Sequence, residues 1–332
     1  MNDRPRIAFV DREPPSGFMA VDRRCLESRA EVEHLVYPGS ITPGFVRSCL
    51  AAAARNDLVY AFFASEHALV PALVFKATGR RFLLVPAGYD YANVPEHHYG
   101  LAARGRAWLP KLLGRLCDEA LPISQQTMWE FLDLVPSAAP RTMLGYLGVD
   151  ATAWEDPGVA RDDVVVTLGY IDDEAWSRKG IDRFVAAAAD DPTRRYVLAG
   201  RITPEVSARI DAIGPANLER PGRLDHEELR RLFWGAQVYA QLSWHETFGV
   251  AMAEAMLCGC VPVVRASMAL HEVAGPWAVT VEASERDVDA IARAARSAVG
   301  VDRAAMRDDI AERFSLERRE QVLAAAVTEA LR

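Results

Sequence analysis

Two glutamates eight positions apart are the residues of this chain whose type and spacing most clearly predict chemistry. Glu246 and Glu254 lie in the stretch from Trp244 to Pro262, separated by a Thr-Phe-Gly turn and an Ala/Met-rich run. The run from Val250 to Leu257 contains good helix formers and follows a predicted strand, so Glu246 is expected in a strand-to-helix loop. Free backbone N–H groups and the positive dipole end of such a helix favour a bound anion, typically a phosphate.

The helix itself is predicted to begin with Phe248 and Gly249 in its first turn. Glu254 then lies about five residues further on, or roughly 7–8 Å along the axis. At that distance a carboxylate can accept hydrogen bonds from ribose hydroxyls while the helix start holds a diphosphate. The alternative is a buried crossover helix that carries one isolated carboxylate.

Short apolar runs alternate with helical patterns along the whole chain, which predicts βαβ units and parallel sheets. A polar stretch around residues 149–160 separates an expected N-terminal domain, 1–149, from a C-terminal domain, 150–314, which a last helix, 315–332, follows. Ligands bind such doubly wound domains at the carboxyl ends of the strands. The predicted strands are Ile7–Val10, Val32–Tyr37, Leu58–Phe63, Phe82–Val85, Leu121–Ile123, Val164–Leu168, Tyr196–Leu198, Val238–Leu242, Val261–Val264 and Ala278–Val281. The predicted helices include Pro71–Thr78, Gln125–Leu134, Asp287–Val299 and Leu316–Leu331.

Composition excludes several classes of protein. The net charge of −8 argues against a general nucleic-acid binder. No apolar run approaches the ~18–20 residues of a transmembrane helix, and the polar start leads directly into a strand, so no secretory signal is expected. Five scattered cysteines without framework spacing favour a reducing, cytoplasmic location.

Loops after predicted strands supply the other candidate residues. In residues 11–18, Gly17 could bring backbone close to a ligand, although an ordinary turn is an equal alternative, and the absence of a GxGxxG pattern gives nicotinamide binding little support. In the long loop 86–100, Asp90 and Asn93 could bind sugar hydroxyls, and Tyr89 or Tyr91 could stack on a sugar.

Two more loops belong to the C-terminal half. Gly169 ends a strand, and the later pair Arg178 and Lys179 could neutralise a diphosphate. An exposed charge pair is the less favoured alternative, because the chain has only two other lysines. Arg201, together with residues 221–229, could frame a planar base. Within that segment Asp225 is better explained as a helix N-cap.

This second half resembles the family-four retaining glycosyltransferases of the GT-B fold, which use nucleotide-sugar donors. Their Glu-x7-Glu signature is matched by Glu246-Thr247-Phe248-Gly249, Glu254-Ala255-Met256, Gly259 and Pro262-Val263-Val264. Three weaker features follow the family's order: Arg178-Lys179-Gly180, Gly222 with Asp225, Glu228 and Leu229, and the turn His271–Gly275. The resemblance is strong over residues 164–282 and rests on topology alone before 149.

The resemblance implies an α/β protein with two Rossmann-like domains facing across a cleft, the last helix crossing back to the first domain. It also implies a UDP-, GDP-, ADP- or dTDP-linked sugar donor, no cofactor and no metal. A small-molecule, lipid-linked or saccharide acceptor would meet the first domain, near Gly17, Asp90 and Asn93. Glu246 would contact the donor sugar, Glu254 the ribose, and Lys179 with Arg178 the leaving diphosphate. The remaining donor-side residues would be Gly169, Tyr170, Arg201, Arg223, Leu224, Thr247, Phe248, Gly249 and Val250.

Two departures from the family pattern leave alternatives open. Tyr170 stands where members usually have arginine, and the loop after the fourth strand lacks their usual histidine, with Asp90 as the nearest polar candidate. The alternatives are a nucleotide-sugar-binding protein that has lost transfer, and another GT-B reaction such as epimerisation or phosphorolysis.

Overall fold

The computed structural model describes residues 4–11, 17–265, 267–282 and 284–332. The chain forms two compact units, one built from residues 1–148 and 316–332 and the other from 149–315. Each unit has its own parallel sheet with helices around it. Among the described residues, no helix has both the length and the apolar composition that crossing a bilayer requires.

The N-terminal unit is built on a five-stranded parallel sheet of order β2-β1-β3-β4-β5. Its central strands are continuous buried runs, as expected where helices cover both faces of a sheet. The strands are β1 (Arg6–Asp11), β2 (Glu31–Val36), β3 (Leu58–Phe62), β4 (Arg81–Val85) and β5 (Glu119–Ala120). The helices are α1 (Gly17–Glu27), α2 (Pro43–Arg55), α3 (Glu66–Ala77), α4 (Trp108–Leu116) and α5 (Gln125–Leu134), with 3₁₀ turns at Pro95–His97 and Pro136–Arg141.

The C-terminal unit has a six-stranded parallel sheet of order β11-β10-β9-β6-β7-β8. Its strands are β6 (Asp162–Leu168), β7 (Arg195–Ala199), β8 (Leu218–Gly222), β9 (Ala236–Gln241), β10 (Val261–Val264) and β11 (Val279–Thr280). Its helices are α6 (Asp173–Arg178), α7 (Ile181–Asp190), α8 (Pro204–Ile213), α9 (His226–Gly235), α10 (Val250–Leu257), α11 (Met268–Ala274), α12 (Asp287–Ser297) and α13 (Arg303–Arg313), with 3₁₀ turns at Gly275–Trp277 and Ala298–Gly300.

The last helix, α14 (Leu316–Leu331), belongs to the N-terminal unit, where it packs along α1. A fully buried ion pair fixes this contact: Arg319 donates from Nε to Asp22 at 2.7 Å, and a second bond joins Nη2 to the same carboxylate. The hydroxyl of Tyr60, on β3, donates to Asp22 as well. The C-terminal segment is therefore part of the N-terminal core.

Most predicted elements are confirmed, with three corrections. β5 is limited to Glu119–Ala120, because its partner β4 ends at Val85; the N–H groups of the predicted Leu121 and Ile123 still donate to the carbonyls of Leu84 and Pro86. β8 was not predicted, since the polar edge strand Leu218–Gly222 has no apolar alternation. α3 begins at Glu66 and contains Pro71 in its interior, although the sequence predicted a start at that proline.

Candidate active site

Lys179 follows α6 at the carboxyl edge of the C-terminal sheet, next to the end of β6. Its Nζ lies 3.8 Å from the point that a Cβ on Gly169 would occupy, and its Cδ lies at 3.9 Å from the same point. The ammonium group makes no ion pair or hydrogen bond with any residue that the structure describes. Arg178 beside it is buried, with 8% of its surface exposed. Of the predicted pair, Lys179 is therefore available to a ligand, and Arg178 lies in the protein interior.

Gly180 brings the Lys179 segment onto the end of β9. Its φ of +67° is in the left-handed region, and a Cβ at this position would stand 2.1 Å from the carbonyl oxygen of Leu242. Two hydrogen bonds complete the junction: the Trp244 N–H donates to the Arg178 carbonyl at 2.9 Å, and the Ser243 hydroxyl donates to the Lys179 carbonyl at 3.4 Å. The loop after β9, which carries Glu246, is thereby joined to Lys179.

We expect Gly180→Ala to destabilise the C-terminal unit by about 3 kcal/mol or more, because a left-handed alanine costs about 1–2 kcal/mol and the methyl also clashes with backbone. Gly214→Ala is the matched control, since its φ is +66° and the nearest heavy atom to its added Cβ lies at 3.5 Å. Urea unfolding measures both. Equal losses of unfolding free energy in the two variants would show that the contact with Leu242 contributes nothing to the cost of Gly180→Ala.

Glu246 is oriented by Gln241, the last residue of β9. The Gln241 amide donates from Nε2 to Glu246 Oε2 at 3.0 Å, and the Thr247 N–H donates to Oε1 at 3.2 Å. Gln241 is itself buried, with 7% exposed. Sequence reasoning missed this residue, although a glutamine that ends a buried apolar strand is an available signal.

The turn before α10 differs from the prediction. Phe248 and Gly249 do not form the first helical turn, because the helix begins at Val250 and Gly249 is its N-cap, with φ +90°. The Phe248 side chain is buried against Phe314, with ring centroids 5.2 Å apart. Phe248 can thus offer a ligand only its backbone, while its ring anchors the turn in the core.

Glu254 lies one turn into α10 and is largely buried. Burial raises the pKa of its carboxyl from 4.5 to about 8. Its carboxylate oxygens have no hydrogen-bond or ion-pair partner within the described ranges. A carboxylate that is largely buried and has no such partner is suited to accepting hydrogen bonds from a ligand.

Trp244 fixes the start of the Glu246 loop. Two guanidinium groups lie over its ring, with Arg183 Cζ 4.7 Å and Arg265 Cζ 4.9 Å from the ring centroid. Both arginines also pair with Asp287, at 3.3 Å and 2.7 Å respectively. This arrangement joins α7, β10 and α12 to the loop, and it was not foreseen because its members are far apart in sequence.

The remaining donor-side candidates lie at the neighbouring strand ends. Gly169 and Tyr170 follow β6, and Arg201 follows β7, where its Cζ stands 5.9 Å from the Tyr170 ring centroid. The Tyr170 side chain is 53% exposed. Arg223 is exposed and Leu224 half-buried after β8. These five residues therefore share one edge of the sheet with Lys179. The predicted N-cap role of Asp225 is confirmed, and Asp225 forms a capping box with Glu228.

The predicted ligand residues of the N-terminal unit do not share one environment. Asp90 is fully buried and accepts hydrogen bonds from the N–H groups of Ala64, Ala87 and Gly88. Its carboxylate is therefore bonded to backbone in this structure, and the binding of a sugar hydroxyl by Asp90 stays a prediction. Asn93 is exposed, and Gly17 is the first residue of α1. Residues 12–16 of the first predicted loop lie outside the described residues.

Residues 168–313 match the family model described as Glycosyl transferases group 1. No curated protein matches the chain at a significant level.

Solved structures match over nearly the whole chain. HepE from Anabaena, in complex with UDP-glucose, is similar with a TM-score of 0.78 and 19% identity, covering 98% of this chain and 100% of its own. A glycosyltransferase from Rickettsia africae gives 0.78 at 13% identity, covering 99% of each chain. Sucrose-phosphate synthase from Thermosynechococcus elongatus gives 0.75 at 17% identity, covering 98% and 99%. These similarities confirm the predicted α/β fold of GT-B type with two Rossmann-like units.

Proposed function

We propose that this protein is a retaining glycosyltransferase that uses a nucleotide-sugar donor. The observation that carries the proposal is the Lys179 ammonium at the strand ends, which is unpaired among the described residues and is joined through Gly180 and Ser243 to the loop of Glu246. The family match over residues 168–313 covers this whole edge. HepE, with UDP and glucose in one structure and UDP-glucose in another, makes UDP-glucose the first donor to test.

In this proposal each group has one task. Lys179 stabilises the negative charge that develops on the leaving diphosphate, which is the role a divalent cation plays in other transferases. Arg178 adds positive potential from the interior. Glu246, held by Gln241, contacts the sugar, and Glu254 accepts from the ribose hydroxyls. Retention of the anomeric configuration follows the resemblance to family four.

A second function is favoured by Tyr170. An exposed aromatic ring occupies the position where the family has a phosphate-binding arginine, which fits a protein that binds a nucleotide sugar without transferring it. Arg201, close to the Tyr170 ring, is a replacement cation in the transferase proposal.

A thermal-shift screen with UDP-, GDP-, ADP- and dTDP-linked sugars tests the donor, because a ligand that binds the folded state raises the unfolding midpoint. NMR of the products then separates the functions. A glycoside with the donor's anomeric configuration supports retention, the inverted configuration contradicts it, and binding without any product across a broad acceptor panel supports the second function. No shift with any donor contradicts both.

Donor binding should release a proton near pH 7. The unliganded Glu254 carboxyl, with a pKa of about 8, is mostly protonated there, and hydrogen bonds from ribose hydroxyls favour its ionised form. Binding of UDP-glucose should therefore tighten up to tenfold per pH unit between about pH 6 and 8 and become constant above that range.

Calorimetry in buffers of different ionisation enthalpy measures this release, and Glu254→Gln, which keeps the shape and loses the titration, is the control. Unchanged proton release in that variant would contradict the assignment. Without ligand, the stability of the protein changes with pH in the opposite direction to donor affinity. Because the pKa of Glu254 in the folded protein is raised above 4.5, its contribution to stability is present at acidic pH and is lost as the pH rises through about 8.

A further inference from the structure

The N-terminal unit contains a pocket of about 300 Å³ where β3 and β4 end. This volume is at the lower end for small-molecule sites, so the pocket suits a compact ligand. Its apolar walls are the rings of Phe63 and Tyr89 and the side chains of Leu101 and Leu109. The carboxyl ends of parallel strands are the usual place for ligands in this type of unit.

Asp90 makes the frame of this pocket rigid. Its buried carboxylate accepts from the Ala64 N–H at 2.9 Å and from the Gly88 N–H at 2.8 Å, so it joins the loop after β3 to the loop after β4. These two loops carry Phe63 and Tyr89. The two aromatic walls are therefore held in place before any ligand binds, which reduces the entropy cost of binding.

Phe63 adds a second indication of function. It has a φ of +60°, one of two non-glycine residues with positive φ among those the structure describes. Such a conformation costs of order 1–3 kcal/mol and occurs preferentially at functional sites. Here it lies directly after β3, as part of the pocket wall.

Apart from Tyr89, three of the seven described lining residues have polar side chains, and each of these is already paired within the protein. Arg106 and Glu66 form an ion pair in which the two side chains are 45% and 52% exposed. The Ser65 hydroxyl lies 2.8 Å from His67 Nδ1. A free hexose would press several hydroxyls against leucine and phenylalanine, where each unpaired hydroxyl loses its bonds to water. A ligand with an apolar ring and one polar group meets no such cost, and the paired charges favour a neutral one.

We propose that this pocket binds a neutral alcohol carried on a single apolar ring, aromatic or alicyclic, with the ring against Tyr89 and Leu109. Resting on the proposed function, this alcohol is the sugar acceptor. In the transfer, the acceptor oxygen forms a bond to the anomeric carbon, and the bond from that carbon to the diphosphate oxygen breaks. The hydroxyl proton leaves with the released nucleoside diphosphate or enters solvent.

Methyl NMR of the full-length wild-type protein tests the site without a substitution. Benzyl alcohol and cyclohexanemethanol should shift the methyl signals of Leu101 and Leu109 in a saturable way, and glucose at the same concentration should not. Equal shifts with glucose, or no shift with either ring alcohol, would overturn the proposal even if every variant failed to fold.

Tyr89→Ala should weaken benzyl alcohol binding at least tenfold, because a stacking face is lost. Trp129→Ala is the matched control: its side chain is 64% exposed on α5 of the same unit and does not line the pocket. Wild-type affinity in Tyr89→Ala, or an equal loss in both, would overturn the proposal. Calorimetry with UDP-, GDP-, ADP- and dTDP-linked sugars separates the two claims. Binding of a donor without binding of a ring alcohol contradicts the pocket proposal alone, and binding of a ring alcohol without binding of any donor contradicts the transferase proposal alone.

Discussion

Replacing Lys179 by alanine is expected to lower the rate of UDP release from UDP-glucose by about 10²–10³-fold, the effect typical of removing one preorganised group that stabilises developing charge. The reason is that the leaving diphosphate gains negative charge as the bond to the sugar breaks. Rates are measured as UDP release, with and without acceptors, so that the result does not depend on knowing the natural acceptor.

The same substitution should leave stability nearly unchanged. The ammonium group of Lys179 has no partner among the described residues, so its removal breaks no hydrogen bond or ion pair and should change the free energy of unfolding by about 0.5 kcal/mol or less. This combination distinguishes a catalytic cation from a structural one. A large loss of stability together with a small loss of rate would assign Lys179 to the scaffold.

Lys111→Ala is the control, because it removes a lysine charge that has no proposed role in catalysis. Lys111 lies on α4 in the N-terminal unit and is not one of the donor-side residues. We expect this variant to keep wild-type turnover. A comparable loss in both variants, or wild-type turnover by Lys179→Ala, would contradict the proposed role.

The periodic parts of the fold were predictable because local patterns determine them. α5 and α14 begin and end at the predicted residues, Gln125–Leu134 and Leu316–Leu331, and the buried β-strands are apolar runs bounded by turn residues. β8 shows where this fails, since its residues are strand only through pairing with β7. The pairing of an edge strand depends on tertiary structure, so it cannot be predicted from the composition of Leu218–Gly222.

The candidate site was predictable in residue type but not in environment. The Glu246–Glu254 spacing indicated a ligand site, yet neither the hydrogen bond from Gln241 nor the burial behind the raised pKa of Glu254 can be read from spacing. The environment of Asp90 could not be read from the sequence either. A polar residue in a long loop indicates a ligand contact only if the backbone does not use it first, and three N–H groups do so here.

Arg319→Met is expected to destabilise the protein by about 3–5 kcal/mol, the usual cost of removing one partner of a buried ion pair. Of its present hydrogen-bond donors, Asp22 would keep only the Tyr60 hydroxyl. The Gly145 carbonyl would lose the hydrogen bond that it now accepts from Arg319 Nη1 at 2.7 Å. The sequence predicts this helix but not that one of its arginines is buried. Urea unfolding measures the loss.

Arg29→Met is the control, because Arg29 pairs with Glu320, the residue next to Arg319, at 2.6 Å, but its side chain is 61% exposed. An exposed pair contributes about 0–1 kcal/mol, so this variant should stay close to wild type. The triple variant Asp22→Leu, Tyr60→Phe, Arg319→Met should be more stable than Arg319→Met alone, because it buries neither an uncompensated carboxylate nor an unpaired hydroxyl. If the triple variant is the less stable of the two, the uncompensated carboxylate is not the cause of the loss in Arg319→Met.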